Sequence, residues 1–192
     1  MANIAIVRHG QARHNIDRVY SSKTAAEGGD DHPLIPGQEE TARSIASMLQ
    51  ENGFANAAIW CSPLQRTRDT ARLLTENGLQ GRVTILEELR ETDAGALDGQ
   101  PLPDDAGLSL DEQFNLHATH AKKAGGESFE DVLQRIQPIC EMLKALPSQE
   151  KIICITHGTP ARALLKSITK LDLCLEQWGV LFLSSDDYNS QS

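Results

Sequence analysis

NIAIVRHGQARHN, residues 3–15, opens with an unbroken apolar run and closes in a polar turn that carries a glycine. A run this short and continuous reads as a strand buried on both faces, the habit of a parallel sheet. Its C-terminal end delivers Arg8, His9 and Gly10. KIICITHGTPARALL, residues 151–165, follows the same plan, with Thr156, His157 and Gly158 after the apolar run and a helical pattern from about Thr159 to Lys170. Between them, 57–61 and 83–86 read as strands, and 180–184 as a last one. Helices are expected over 38–52, from the Ser62-Pro63 cap to about Asn77-Gly78, over 109–123, and over 127–146, where Pro138 should kink or split the pattern. Ser109 with Glu112 has capping-box spacing. The polar stretch 17–37 reads as a long surface loop, and the tail DDYNSQS as frayed. Alternating strands and helices predict an α/β fold, a three-layer sandwich with a mostly parallel central sheet flanked by helices.

The 192 residues are 40% hydrophobic, and 27 Asp and Glu against 18 Lys and Arg give a formal net charge of −9 with histidines neutral. That suits a single domain over 1–192, with a helical insertion at about 97–126, and excludes a disordered or fibrous chain. Aromatic residues are only 4%, so aliphatic side chains must fill the core. The negative balance disfavours nucleic acid and anionic membrane as partners, so an anionic substrate needs a local basic pocket. MANIAIVRHG does not read as a signal peptide, and no apolar run approaches a membrane span. Cys61, Cys140, Cys154 and Cys174 show no metal spacing; they read as reduced and buried, each in a strand or helix of a cytoplasmic protein. Oligomeric state is open, a homodimer included.

In an open α/β sheet, ligands bind beyond the carboxyl ends of the strands. The residues there are Arg8-His9-Gly10, then Ser62 and, one helical turn on, Arg66, then Glu91, then Thr156-His157-Gly158. Two arginines, two histidines and a carboxylate suit phosphoryl transfer. Guanidinium groups bind a phosphate dianion through forked hydrogen bonds, a neutral imidazole attacks phosphorus, and a carboxyl group protonates the departing alkoxide. Other polar residues have plainer readings. His117 and His120 are three apart on a predicted helix but lack a third metal ligand, so a polar helix face is the better reading. His14 and His32, beside or within the long loop, read by default as solvated loop histidines, with a reach to the pocket mouth as the alternative, Arg68 reads as a surface ion-pair partner, and Arg162 as structural. Glu87 and Glu88 compete with Glu91 for the acid position.

IVRHGQARHN (6–15), SPLQRTRDTA (62–71), LRETDAGALDGQ (89–100), GGESFEDVLQRI (125–136) and THGTPARALL (156–165) together resemble the histidine phosphatase superfamily, which includes the cofactor-dependent phosphoglycerate mutases. The resemblance implies a phosphoglycerate mutase-like fold and assigns roles residue by residue. His9 matches the nucleophile that forms a phosphohistidine, and Arg8 and Arg66 match the phosphate clamp. His157 matches the second histidine, and Gly158 adds a backbone donor at a helix N-terminus. Glu91, in the run Glu91-Thr92-Asp93-Ala94-Gly95, matches the general acid, and Gln11 and Asn15 match pocket-lining positions. No metal or cofactor is implied.

The segment after Glu91 carries Asp93, Gly95, Asp98 and Gly99 and no arginine between Arg90 and Arg135, and 17–37 has no tryptophan. Both features resemble the phosphatase branch more than the mutases. The expected activity is a metal-independent phosphomonoesterase acting on a small-molecule phosphate ester. A phosphoglycerate mutase, a protein phosphohistidine phosphatase and a catalytically silent phosphate-binding protein are the alternatives. HPLIPGQEETA departs from the family pattern in length and at Ile35, and the chain after Trp178 leaves room for a single strand, so the family's last strand or hairpin is expected to be truncated or missing.

Overall fold

The computed structural model describes residues 2–184. Its strands are β1 (Ile4–Arg8), β2 (Ala58–Cys61), β3 (Val83–Ile85), β4 (Ile152–Thr156) and β5 (Val180–Leu183), and its helices α1 (Arg13–Asp17), α2 (Glu39–Glu51), α3 (Gln65–Glu76), α4 (Leu110–Lys123), α5 (Phe129–Lys144) and α6 (Gly158–Thr169). The five strands form one sheet in the order β3-β2-β4-β1-β5. All neighbours run parallel except β1 and β5. This is the expected α/β architecture.

Strand side chains alternate between two cores because successive Cβ atoms point to opposite faces. Ala5, Val7, Ile59, Cys61, Ile153 and Ile155 pack with α2 and α3, whereas Ile4, Ile6, Ile152 and Cys154 pack with α5 and α6. Both faces of the central strands are therefore covered, which is why β1 is apolar from Ile4 to Val7 and β4 from Ile152 to Ile155.

Ser109 and Ser128 each close a capping box, with Glu112 and Asp131 respectively. Pro138 does not split its helix: α5 runs unbroken through it. A proline inside a helix costs about 3 kcal/mol, while burying a large apolar side chain contributes about 1.5–3 kcal/mol. Val132, Ile136, Ile139 and Leu143 are all buried on one face of α5, so packing outweighs the lost backbone bond.

Ser62 is not a helix cap, since α3 starts at Gln65 with Leu64 in the capping position. The 17–37 stretch is not a plain surface loop either. Tyr20 donates from its backbone to Gln100 O, Leu102 to Arg18 O and Gly99 to Tyr20 O, so the chain is stitched to 99–102. Ser21, Ser22 and Asp31 are buried there. Cys61, Cys140 and Cys154 are buried and unpaired, but Cys174 is half-buried and outside any regular element. The DDYNSQS tail lies outside the described residues. Among those residues no helix is long and apolar enough to cross a membrane.

Candidate active site

Register brings the strand ends together. Arg8 is paired with Thr156, so His9 and His157 leave adjacent strands side by side, His9 N donating to Thr156 O at 3.0 Å. Their ring centroids are 5.1 Å apart. Cys61 is paired with Ile155, which carries Ser62 to the same edge, its Oγ 2.7 Å from His157 Nε2. Arg66, in the first turn of α3, is fully buried and donates from Nε to His9 Nε2 at 3.2 Å. Its Nη2 is held by Ser21 O at 2.9 Å. Arg8 donates from Nη1 to Leu175 O and lies 5.3 Å from the Phe114 ring centre.

The hydrogen bonds decide the tautomers. His9 Nδ1 lies 2.6 Å from Gly10 O, and a carbonyl can only accept, so Nδ1 bears the hydrogen and Nε2 the lone pair. Burial above all, then the charge of Arg66, with His14 and Arg8 adding to it, holds His9 well below the ordinary histidine pKa and keeps it neutral. Gly10 makes this turn possible, because a Cβ there would lie 2.6 Å from the Trp178 indole. Asn15 Oδ1 accepts from Ala12 N, which leaves Asn15 Nδ2 as donor to His14 Nε2 and puts the His14 hydrogen on Nδ1. His14 is depressed to about 2, mainly by burial, and His157 lies well below its ordinary value for the same reason.

Three buried side-chain nitrogens in this cluster, Arg8 Nε, His14 Nδ1 and His157 Nδ1, lack a hydrogen-bond partner among the described residues. Buried polar groups are nearly always paired, and leaving one unpaired costs roughly 1–3 kcal/mol. Arginine Nε is always a donor, His14 Nδ1 carries its hydrogen, and His157 Nδ1 carries one whenever Ser62 donates to Nε2. Such a set suits a tetrahedral oxyanion.

A cavity of about 240 Å³ opens above these groups, lined by Arg8, His14 and Glu91, by residues 18–20, and by α4. His9, Arg66 and His157 lie fully buried beneath it. Glu91 Oε2 is 4.0 Å from His157 Nδ1. Arg135 supports that carboxylate's loop, donating to the carbonyls of Glu88, Arg90 and Glu91, and is itself paired with Glu127. Gly158 opens α6 with His157 as N-cap. Asn15 lines the cavity, although its amide is occupied by Ala12 and His14. Gln11 is exposed outside the cavity, its backbone held by Gln38.

The histidine phosphatase superfamily (branch 1) profile matches residues 4–179. The chain belongs to this superfamily. It is 27% identical to fructose-2,6-bisphosphatase of Saccharomyces cerevisiae across 84% of this chain and 33% of that protein. It thus spans about a third of that relative's length. It is also 27% identical to a 2,3-bisphosphoglycerate-dependent phosphoglycerate mutase of Parvibaculum lavamentivorans, across 88% of this chain and 80% of that one. Among solved structures, a mycobacterial glucosyl-3-phosphoglycerate phosphatase in complex with VO3 superposes with a TM-score of 0.69 at 25% identity, covering 96% of this chain and 93% of that chain. Bacillus stearothermophilus YhfR, at 22% identity and a TM-score of 0.71, covers 94% of each chain and shares the fold.

Within this histidine phosphatase-superfamily chain, several residues do more at the site than the sequence reading gave them. Ser62 follows a strand end directly, so the rule that found His9 and His157 also points to it. His14 is not a solvated loop histidine: it is buried in α1 and lines the cavity, nearer the alternative of a reach to the pocket mouth. Ser21 and the Glu127–Arg135 pair reach the site through tertiary contacts that leave no local signal. His117 also moves from a plain helix face to the cavity wall, its Nε2 3.0 Å from Asp105 Oδ2. Arg68 and Arg162 pair with Asp31 and Asp172 as expected.

Proposed function

We propose that the protein is a metal-independent phosphomonoesterase that hydrolyses a small-molecule phosphate ester through a phosphohistidine on His9. The observation that carries this is the set of three unpaired buried nitrogens around a neutral imidazole whose Nε2 holds the lone pair. His9 Nε2, released from Arg66 Nε, attacks phosphorus in line with the ester oxygen. Arg8, Arg66, His157 and His14 donate to the phosphoryl oxygens, with the Gly158 N–H at the start of α6, and stabilise charge as it moves. Glu91 protonates the departing alkoxide, then takes a proton from the water that attacks the phosphohistidine. Inorganic phosphate leaves and His9 returns to its starting state. The 97–126 segment acts as a cap through α4. Phosphatase relatives and the lack of any arginine between Arg90 and Arg135 favour hydrolysis over mutase transfer.

The test is hydrolysis of p-nitrophenyl phosphate and a panel of metabolite phosphates with EDTA present. Wild type should release phosphate and His9→Ala should not. Glu91→Gln should slow alkyl esters about a hundredfold or more and aryl esters far less. Undiminished turnover by His9→Ala, or equal losses by Glu91→Gln on both ester types, would sink the corresponding assignment.

A further inference from the structure

The cavity wall beyond the phosphate site carries its own chemistry. Phe114 lies beside the Arg8 guanidinium in the cavity wall, and Leu102, Leu110 and Ala118 add to its apolar surface. Apart from Arg8, the lining holds one permanent cation, Arg18. Arg18 Nη2 is occupied by Asp105 Oδ1 at 2.6 Å and Pro103 O at 3.3 Å. The second Asp105 oxygen accepts from His117 Nε2 at 3.0 Å. Glu91 and Glu176 also line the cavity and lie near enough to Arg8 to favour its charged form. With Arg8 engaged by the phosphate and Glu91 serving as the proton donor, the rest of the wall has two carboxylates, Asp105 and Glu176, against one guanidinium, Arg18. A second anion on the substrate would lose its hydration, find Arg18 already paired, and face these carboxylates.

Building on the phosphatase reading, we infer that the substrate is the monophosphate of an uncharged alcohol with an apolar or aromatic body, and that esters carrying a second anion are rejected. The Arg18–Asp105–His117 contact sets this selectivity by keeping the one distal cation neutralised. The cavity size suits a body of one or two rings, since it falls below the roughly 300–1,000 Å³ of drug-sized sites.

The experiment compares kcat/KM for 4-carbamoylphenyl phosphate and 4-carboxyphenyl phosphate, which match in shape and differ in charge. Wild type should prefer the amide ester by about tenfold or more. Gln113 lines the wall and is partly exposed, so Gln113→Lys adds an unpaired cation without opening the core. It should narrow the preference about threefold, and leaving-group differences cancel between the two proteins. Equal or reversed preference in wild type overturns the substrate class and leaves the phosphatase reading standing. An unchanged ratio in Gln113→Lys overturns the assignment of selectivity to wall charge. No phosphate release from either ester overturns the phosphatase reading, and the substrate class with it.

Discussion

His14 is the residue whose chemistry is hardest to explain without a phosphate. Its Nε2 is satisfied by Asn15 and its ring is buried 5.7 Å from His9, yet Nδ1–H has no acceptor among the described residues. Evolution could have filled that volume with an apolar ring at no polar cost, so the nitrogen is best accounted for as a donor to the transferring group. His14→Phe keeps the ring and removes the donor. Inhibition by inorganic phosphate should weaken about tenfold, the loss of one hydrogen bond to a charged group, while the variant stays folded by circular dichroism. An unchanged inhibition constant would leave His14 as packing alone. Asn15 was legible as a site residue and lines the cavity, but its amide is engaged by Ala12 and His14.

At the scale of elements, the acid loop is held from behind by α5. Arg135 gathers three carbonyls of residues 88–91 while Glu127 neutralises it, and Gly126 lets the turn before α5 approach so closely that a Cβ there would lie 2.1 Å from Asp93 O. Arg135→Gln should therefore loosen Glu91 without touching the phosphate clamp. Its kcat should drop about tenfold on alkyl phosphates and less than about threefold on aryl phosphates, whose leaving groups need little protonation. Equal losses on both would show that the loop matters for something other than proton transfer. The GGESFEDVLQRI block was visible in the sequence as a resemblance and as a helix from about Glu127, though its Ser128 cap was not read. Its work on the acid loop was not, because that depends on which carbonyls a side chain reaches after α5 docks. By contrast, the strands, the Ser109–Glu112 capping box and the strand-end residues follow local rules of periodicity and spacing, and these were readable. Ser62 was misread because Ser-Pro before a helix is a strong local cap signal, and its bond to His157 spans 95 positions.

For the whole molecule, the fold was legible because covering both faces of β1 and β4 demands continuous apolar runs. The site's cost was not, because it arises from stacking three histidines under one cavity. His9, His14 and His157 are buried and neutral, all with folded pKa values below the ordinary one, His14 at about 2. In the unfolded chain each takes a proton near pH 6.5. Below that pH the unfolded state binds more protons than the folded one, so stability rises with pH up to about 6.5 and is lost as pH falls below it. Each of these histidines contributes a slope of at most about 1.4 kcal/mol per pH unit, the three together at most about 4 kcal/mol per pH unit, and His117, lowered chiefly by burial, adds in the same direction. The carboxylates held below their ordinary range, Glu27 and Asp172 at about 2 with Asp105, Glu112, Asp131 and Glu141 also lowered, add their losses only at lower pH, below their ordinary values. Urea midpoints measured between pH 7.5 and 5 should therefore fall steeply below 6.5. His14→Phe should remove up to about 1.4 kcal/mol per pH unit of that slope, which separates the histidine effect from any carboxylate. A flat profile over this range would mean that the three rings accept protons in the folded protein, and a protonated His9 has no lone pair with which to attack phosphorus.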